Sequence, residues 1–340
     1  MQDNQPDNLE DESPSPVPSS APPPPEPPKH KAGFGIRAAT GLCIALVYAA
    51  VILFTMLPLG PRVDGIPVFR FFYDLFVILI ALAASLEMCR AIANKYAKPL
   101  WFFVILNTVL GFSAFYVAHF SSFLFGKSIG GNTAYFFVLA AMCLSCIIFT
   151  MFSKKHSMNN VLSTILVLVY PTALFVFMLS LNYLPAEGPA NSAILLLFLL
   201  PVLSDTMAYL VGSAFRGPKL VPHISPKKTV SGAIGGVVGG IAAGAVVFAL
   251  SEFMPDGFAV ATFDSNIWLN LMHYLIIGSL GAAFVIVGDL IASYLKRQCG
   301  VKDFGKLLPG HGGVMDRVDS MILSAVFLYA YFYIFFVLIN

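Results

Sequence analysis

The sequence predicts an all-α polytopic membrane protein with about nine transmembrane helices, its N-terminus cytoplasmic and its C-terminus outside. Three observations carry this. Mean hydropathy is +0.81 with only 11% charged residues, too apolar for a soluble chain of 340 residues. The apolar residues come in runs of about 20, the length a helix needs to cross a ~30 Å hydrocarbon layer. The basic residues concentrate on alternate connections between those runs.

The elements follow in order. The first 28 residues are rich in Pro and Ser, hold six of the 18 acidic residues and contain no apolar core, so residues 1–30 read as a disordered, acidic, Pro-rich tail. No short apolar run with a small-residue cleavage site follows, so no cleaved signal peptide is read. Apolar runs then fall at about 38–58, 68–88, 100–119, 133–152, 161–183, 192–214, 231–252, 270–292 and 320–339. Nine spans put the termini on opposite sides. With the N-terminus inside, Lys29, Lys31 and Arg37; Arg90, Lys95 and Lys98; Lys154 and Lys155; Arg216, Lys219, Lys227 and Lys228; and Lys296, Arg297, Lys302, Lys306 and Arg317 are cytoplasmic, 17 of the 20 basic residues. Arg62, Arg70 and Lys127 stay outside, an asymmetry that the positive-inside rule converts into the orientation.

Five cysteines, Cys43, Cys89, Cys143, Cys146 and Cys299, are an odd number in a mostly apolar setting and argue against a disulfide framework. Cys143 and Cys146 form a C-x-x-C without a nearby His or Cys and read as packing. Gly232, Gly236, Gly240 and Gly244 recur every four residues in the seventh span, which predicts one glycine-lined face for close helix approach.

The stretch from Ser293 to Asp319 is the only long polar segment within the apolar part of the chain, with five basic and three acidic residues. On a helix, Asp289, Ser293, Lys296 and Arg297 stand at i, i+4, i+7 and i+8, so a carboxylate, a hydroxyl and two cations share a face at the end of the eighth span. Snorkelling at the headgroups accounts for the cations but not for Asp289. Asp316 and Asp319, three apart, aim together from a helix turn. With Asp289 they offer the hard oxygen ligands that Mg²⁺ prefers, and Arg317 between them can neutralise phosphate. The run Pro309-Gly310-His311-Gly312-Gly313 cannot be helical, and its amides can approach an anion. Asp205 ends an apolar run and should face a polar cavity, with Tyr209 one turn on. Ser225, Lys227, Lys228 and Thr229 precede the seventh span, where hydroxyls, lysines and free helix-start amides can meet phosphate. The nearby GSAFRGPK, from Gly212 to Lys219, is not a P-loop, because Pro218 separates its second Gly from Lys.

Two of these segments resemble the phosphatidate cytidylyltransferases (CDP-diacylglycerol synthases), in the bacterial form. SYLKRQCGVKDFGKLLPGHGGVMDRVD, from Ser293 to Asp319, meets every fixed position of that family's signature. SDTMAYLVGSAF and PHISPKKTVSG, between Ser204 and Gly232, match its second conserved region, with Ser231 where the family usually carries Glu. The resemblance covers roughly residues 190–320. It implies N-terminal transmembrane helices over 31–190 and a catalytic transmembrane region over 191–340 with two cytoplasmic motif loops, in a bacterial inner membrane. It implies CTP and phosphatidate as substrates and CDP-diacylglycerol and pyrophosphate as products, within the lipid bilayer and without nucleic acid; monomer and homodimer are both open.

In that reading Asp289, Asp316 and Asp319 are metal ligands for one or two Mg²⁺, with Asp205 a further candidate. Lys296, Arg297, Arg317 and His311 join them as catalytic residues. Ser225, Lys227, Lys228, Thr229, Ser293, Lys302, Gly312, Gly313 and Tyr209 bind substrate. The lipid phosphate is already an anionic nucleophile, so no Ser–His pair is required. Two other readings use the same charges: a CTP-dependent lipid-alcohol kinase, which needs a base for a hydroxyl proton, and a transporter, whose charges should line a crossing path rather than gather at one face.

Overall fold

The structure is a computed structural model that describes residues 34–56, 62–63, 66–121, 130–254 and 259–339; the expected tail lies outside them. Nine helices among the described residues are long and apolar enough to cross a membrane, and the protein is a multi-pass membrane protein. In chain order they are α1 (Phe34–Met56), α2 (Arg70–Ala93), α3 (Trp101–His119), α4 (Gly131–Phe152), α5 (Met158–Tyr183), α6 (Glu187–Phe215), α7 (Val230–Phe253), α8 (Ile267–Gln298) and α9 (Met315–Tyr333). Two antiparallel hairpins join them: β1 (Arg62–Val63) with β2 (Ile66–Pro67), and β3 (Lys219–Val221) with β4 (Ser225–Thr229).

Helix α5 is broken at its middle. Pro171 supplies no amide and forces Tyr170 out of helical geometry (φ −132°, ψ 112°). A broken helix at membrane depth survives only if its freed backbone groups find partners. Here Thr172 Oγ1 donates to the Val167 carbonyl at 2.8 Å and Tyr135 donates to the Thr172 carbonyl at 3.0 Å. The Ser85 hydroxyl on α2 meets Thr172 Oγ1 at 2.8 Å.

The glycines of α7 do not line one face as the four-residue spacing predicts. Gly235 and Gly239 lie against Met207, Val211 and Leu203 of α6, while Gly240 and Gly244 lie against Gly278 and Tyr274 of α8. A 3.6-residue turn drifts relative to a four-residue repeat, so α7 presents two small-residue stripes and is clamped between α6 and α8. That clamp brings the last turns of α6 and α8 beside the hairpin that starts α7.

The two ends of the bundle differ. At one, Arg70 and Asp74 of α2 are buried. Asp74 accepts from Asn182 at 2.8 Å and Tyr183 at 2.7 Å, and Arg70 donates to Asn191 of α6. At the other, the connections 94–100, 153–157, 216–229 and 299–314 gather. Asn160 of α5 donates to the Lys98 carbonyl at 2.9 Å, and Lys95 stands near Cys299, where burial pushes the thiol up and the ammonium pulls it back. At 32 residues, α8 is about 48 Å long, well over the ~30 Å hydrocarbon thickness, so its last turns reach out of the membrane at this end.

Candidate active site

The α8 face read from spacing forms in the structure. Ser293 Oγ donates to Asp289 Oδ1 at 3.3 Å, and Lys296 Nζ reaches Asp316 Oδ1 at 3.0 Å and Asp319 Oδ2 at 3.5 Å. Lys296 therefore bridges the two carboxylates at the start of α9. Arg297 leaves the group and contacts the Ile224 carbonyl in the hairpin loop at 3.5 Å.

Asp316 organises the loop ahead of it. Its Oδ2 accepts from the amides of Phe304 at 2.9 Å and Gly313 at 3.0 Å, folding residues 304–313 back onto the helix start. The turn closes through the Leu308 amide on the Gly312 carbonyl at 2.9 Å, with Gly310 (φ 77°) and Gly312 (φ 84°) in left-handed backbone that a Cβ disfavours. One amide of the glycine-rich run, that of Gly313, does meet an anion, but it is the protein's own carboxylate. Arg317 Nε donates to the His311 carbonyl at 3.0 Å, while the His311 ring lies against Gly41 of α1 with Nδ1 buried and without a hydrogen-bond partner. Lys302 is exposed on the same loop.

A second carboxylate holds this loop from the N-terminal half. Glu87 of α2 is buried, and its Oε2 accepts the Met315 amide, the first of α9, at 2.9 Å. A Cβ at Gly305 or Gly313 would overlap the Glu87 carboxylate, so both must be glycine for the loop to close. The spacing analysis missed Glu87, because a lone acid near the end of an apolar run looks like any interfacial residue. The signal was available in the glycines, of which the sequence reading assigned Gly313 to substrate and left Gly305 unassigned.

Beside this cluster lies a cleft of about 580 Å³ between the end of α6, the β3–β4 hairpin and the start of α7. Asp205, Tyr209, Lys227, Lys228 and Thr229 line it, as do Arg216 and Lys219, which the sequence analysis treated only as loop charge. Ser225 lies on β4 at the hairpin turn. Thr229 Oγ1 caps α7 by accepting the Gly232 amide at 3.1 Å. Ser231, in place of the Glu expected from the resemblance, accepts the Gly217 amide at 3.2 Å and meets Thr229 Oγ1 at 3.1 Å. Gly217 packs tightly on Ser231, where an added Cβ would come within 3.1 Å of its hydroxyl, so the short side chain lets the hairpin close on the helix.

Cleft and cluster join at one ion pair, Lys228 Nζ to Asp289 Oδ2 at 2.6 Å, which is partly open to solvent. The Asp289 charge is within electrostatic reach of both Asp205 and Asp319. The site is thus a carboxylate group interleaved with cations, fed by a basic cleft. Its hard oxygen donors suit a dication such as Mg²⁺, although among the described residues no three His, Cys, Asp or Glu side chains converge at ligand spacing. Asp316 has both oxygens engaged; so do Asp289, by Ser293 and Lys228, and Asp319, by the Ser320 amide and Lys296, so a dication at either would exchange with a lysine.

The fold and site define a multi-pass membrane protein with a basic cleft and a carboxylate–cation cluster at one end of its helix bundle. The chain belongs to the cytidylyltransferase family, whose model matches residues 39–335. It is 37% identical over 149 residues to the phosphatidate cytidylyltransferase of Rickettsia felis, covering 44% of this chain and 62% of that one. It is 40% identical over 154 residues to the phosphatidate cytidylyltransferase of Brucella abortus biovar 1, covering 45% and 52%. A match of 32% over 290 residues, 83% of this chain and 84% of the relative, is to the uncharacterized protein YnbB of Escherichia coli K12. The chain thus spans less than two thirds of either of those two phosphatidate cytidylyltransferases.

Proposed function

We propose that this protein transfers the cytidylyl group of CTP to phosphatidate, forming CDP-diacylglycerol and pyrophosphate, at the cytoplasmic face of a bacterial inner membrane. The observation that carries the reading is the junction of the basic cleft with the Asp289–Lys228 pair, at the end of the bundle where basic loops gather. There, 15 basic residues of the described segments share one side, which favours the cytoplasm.

Two polyanions must approach each other. Lys227, Lys228, Arg216 and Lys219 hold the CTP phosphates in the cleft, and Lys296, tethered by Asp316 and Asp319, presents a fixed cation beside the lipid phosphate. A phosphatidate oxygen forms the new bond to the α-phosphorus. The bond from the α-phosphorus to the oxygen bridging to the β-phosphorus breaks, and pyrophosphate leaves with that electron pair. Fixed cations stabilise the charge that develops on the leaving group. Bound at Asp289 and Asp319, with Asp205 alongside, Mg²⁺ would supply further charge neutralisation. Tyr209 is highly exposed at the lip of the cleft within an apolar helix, so a lipid headgroup can enter sideways while its chains stay in the bilayer.

The test is incubation of purified protein with phosphatidate, Mg²⁺ and CTP labelled at the α-phosphorus. Label in the lipid phase together with free pyrophosphate supports the proposal. In a parallel incubation with diacylglycerol and CTP labelled at the γ-phosphorus, label in the lipid phase would instead support the kinase reading.

A further inference from the structure

We infer that a second site, built into the N-terminal half at the loop end of the bundle, binds an anionic phospholipid. A cavity of about 560 Å³ lies where α3 and α5 begin and α4 ends, lined by Lys98, Trp101, Phe103, Phe149, Lys155 and His156 among others. It belongs to none of the elements that carry the cleft.

The cavity is held open by bonded walls. Asn160 Nδ2 grips the Lys98 carbonyl at 2.9 Å while its Oδ1 takes the Ser157 amide at 2.8 Å, and the Leu100 amide donates to Thr164 Oγ1 at 2.8 Å. Its floor is aromatic. Phe103 and Phe149 meet at 5.6 Å between centroids, and the His156 ring stands edge-on to Phe149 at 5.7 Å. Beneath lies a small core of Phe103, Cys146 and Val161, separate from the main one.

The chemistry selects the ligand. Lys98 and Lys155 bring positive charge, no acidic residue lines the cavity, and neither lysine makes an ion pair among the described residues. A single phosphate matches that charge, whereas a choline headgroup would add an opposing cation. A free phosphate would leave the aromatic half of the cavity unused. The Trp101 and Phe102 side chains are each about 60% exposed on the outside of a span, where acyl chains run, and rings of this kind settle at the headgroup level. The fitting occupant is therefore a lipid with an anionic headgroup, its phosphate between the lysines and its chains along α3 and α4.

Trp101 reports on its own site, because the chain has only two tryptophans. The other, Trp268, lies at the opposite end of the bundle, at the start of α8. Full-length Trp268→Phe protein is reconstituted in phosphatidylcholine vesicles containing brominated-chain phosphatidylglycerol or brominated-chain phosphatidylcholine, and quenching of Trp101 is compared. At least about threefold stronger quenching by phosphatidylglycerol is expected, falling to the phosphatidylcholine level in Lys98→Gln/Lys155→Gln. Soluble glycerol phosphate should leave the quenching unchanged. Equal quenching by both lipids means ordinary surrounding lipid and overturns the inference, as does selectivity that survives loss of both lysines. Relief of quenching by glycerol phosphate would make it a phosphate-ion site and also overturn it. The headgroup comparison needs no lysine variant, so a folding failure of the double variant leaves the inference decidable.

Discussion

The two ends of this bundle both carry buried or half-buried charge, and they use it in opposite ways. Around Asp74, each oxygen has a neutral donor, Asn182 or Tyr183, on α5, and Arg70 reaches across to α6. The network is closed, buried and stitches three helices together. Around Asp289, one oxygen accepts from Ser293 but the other faces a charge, Lys228, and that pair remains partly open beside a 580 Å³ cleft. Neutral donors that satisfy a carboxylate fix it permanently. Ammonium partners on flexible stems can be exchanged for a ligand's charges. A structural and a working carboxylate differ here both in partners and in exposure, Asp74 being buried and the Asp289 side chain 30% exposed.

Substitutions at the two ends can break or sharpen that contrast. The largest effect is expected for Asp289→Asn, which keeps the size and removes the charge: turnover should fall at least about a hundredfold, equivalent to about 2.7 kcal/mol of transition-state stabilisation, with the thermal midpoint in detergent close to wild type. Near-normal turnover in folded protein would place the working charge elsewhere.

Glu87 tests whether a buried carboxylate outside the signature serves the working end. Glu87→Ala leaves the Met315 amide unpaired and releases the loop that Gly305 and Gly313 pack onto the carboxylate. Turnover should drop roughly tenfold to thirtyfold, about 1.4 to 2 kcal/mol, while Glu87→Gln, which retains an acceptor, should recover most of it. Equal losses in both would mean that the charge itself acts in catalysis.

Asp74→Ala is the counterpart at the closed end. Two buried donors lose their acceptor, at about 1–3 kcal/mol each, so the thermal midpoint should fall by several degrees while turnover per folded molecule stays within about twofold. A selective loss of turnover would show that the two ends are coupled. The smallest effect is expected from deleting residues 2–28, which precede the family match at residue 39: turnover should change less than about twofold, read as label transfer per molecule of inserted protein.

Much of the bundle was legible because hydropathy acts locally. Runs of about 20 apolar residues allow few structures other than a membrane helix, and the expected span limits agree with the observed helices to within a few residues at most ends. The α8 face was legible for the same reason, since Asp289, Ser293 and Lys296 are fixed by helical period alone. Loop geometry was not. The glycine run reads as an anion nest, yet its Gly313 amide serves Asp316, because which anion it meets depends on where the chain returns. Arg216 and Lys219 looked like ordinary loop charge until the hairpin turned them into the cleft.

The sequence by itself determined the membrane helices, the stripe on α8 and the paired carboxylates at the start of α9, all consequences of composition and period along one segment. Only the tertiary structure decided that α7 is clamped on two faces, that Lys228 of β4 meets Asp289 of α8, and that Glu87, 228 residues before Met315, holds the signature loop in place. Those contacts join residues far apart in the chain, and no local preference encodes them: they exist because packed helices bring distant backbone amides and charges within bonding distance, where a buried polar group left alone would be costly.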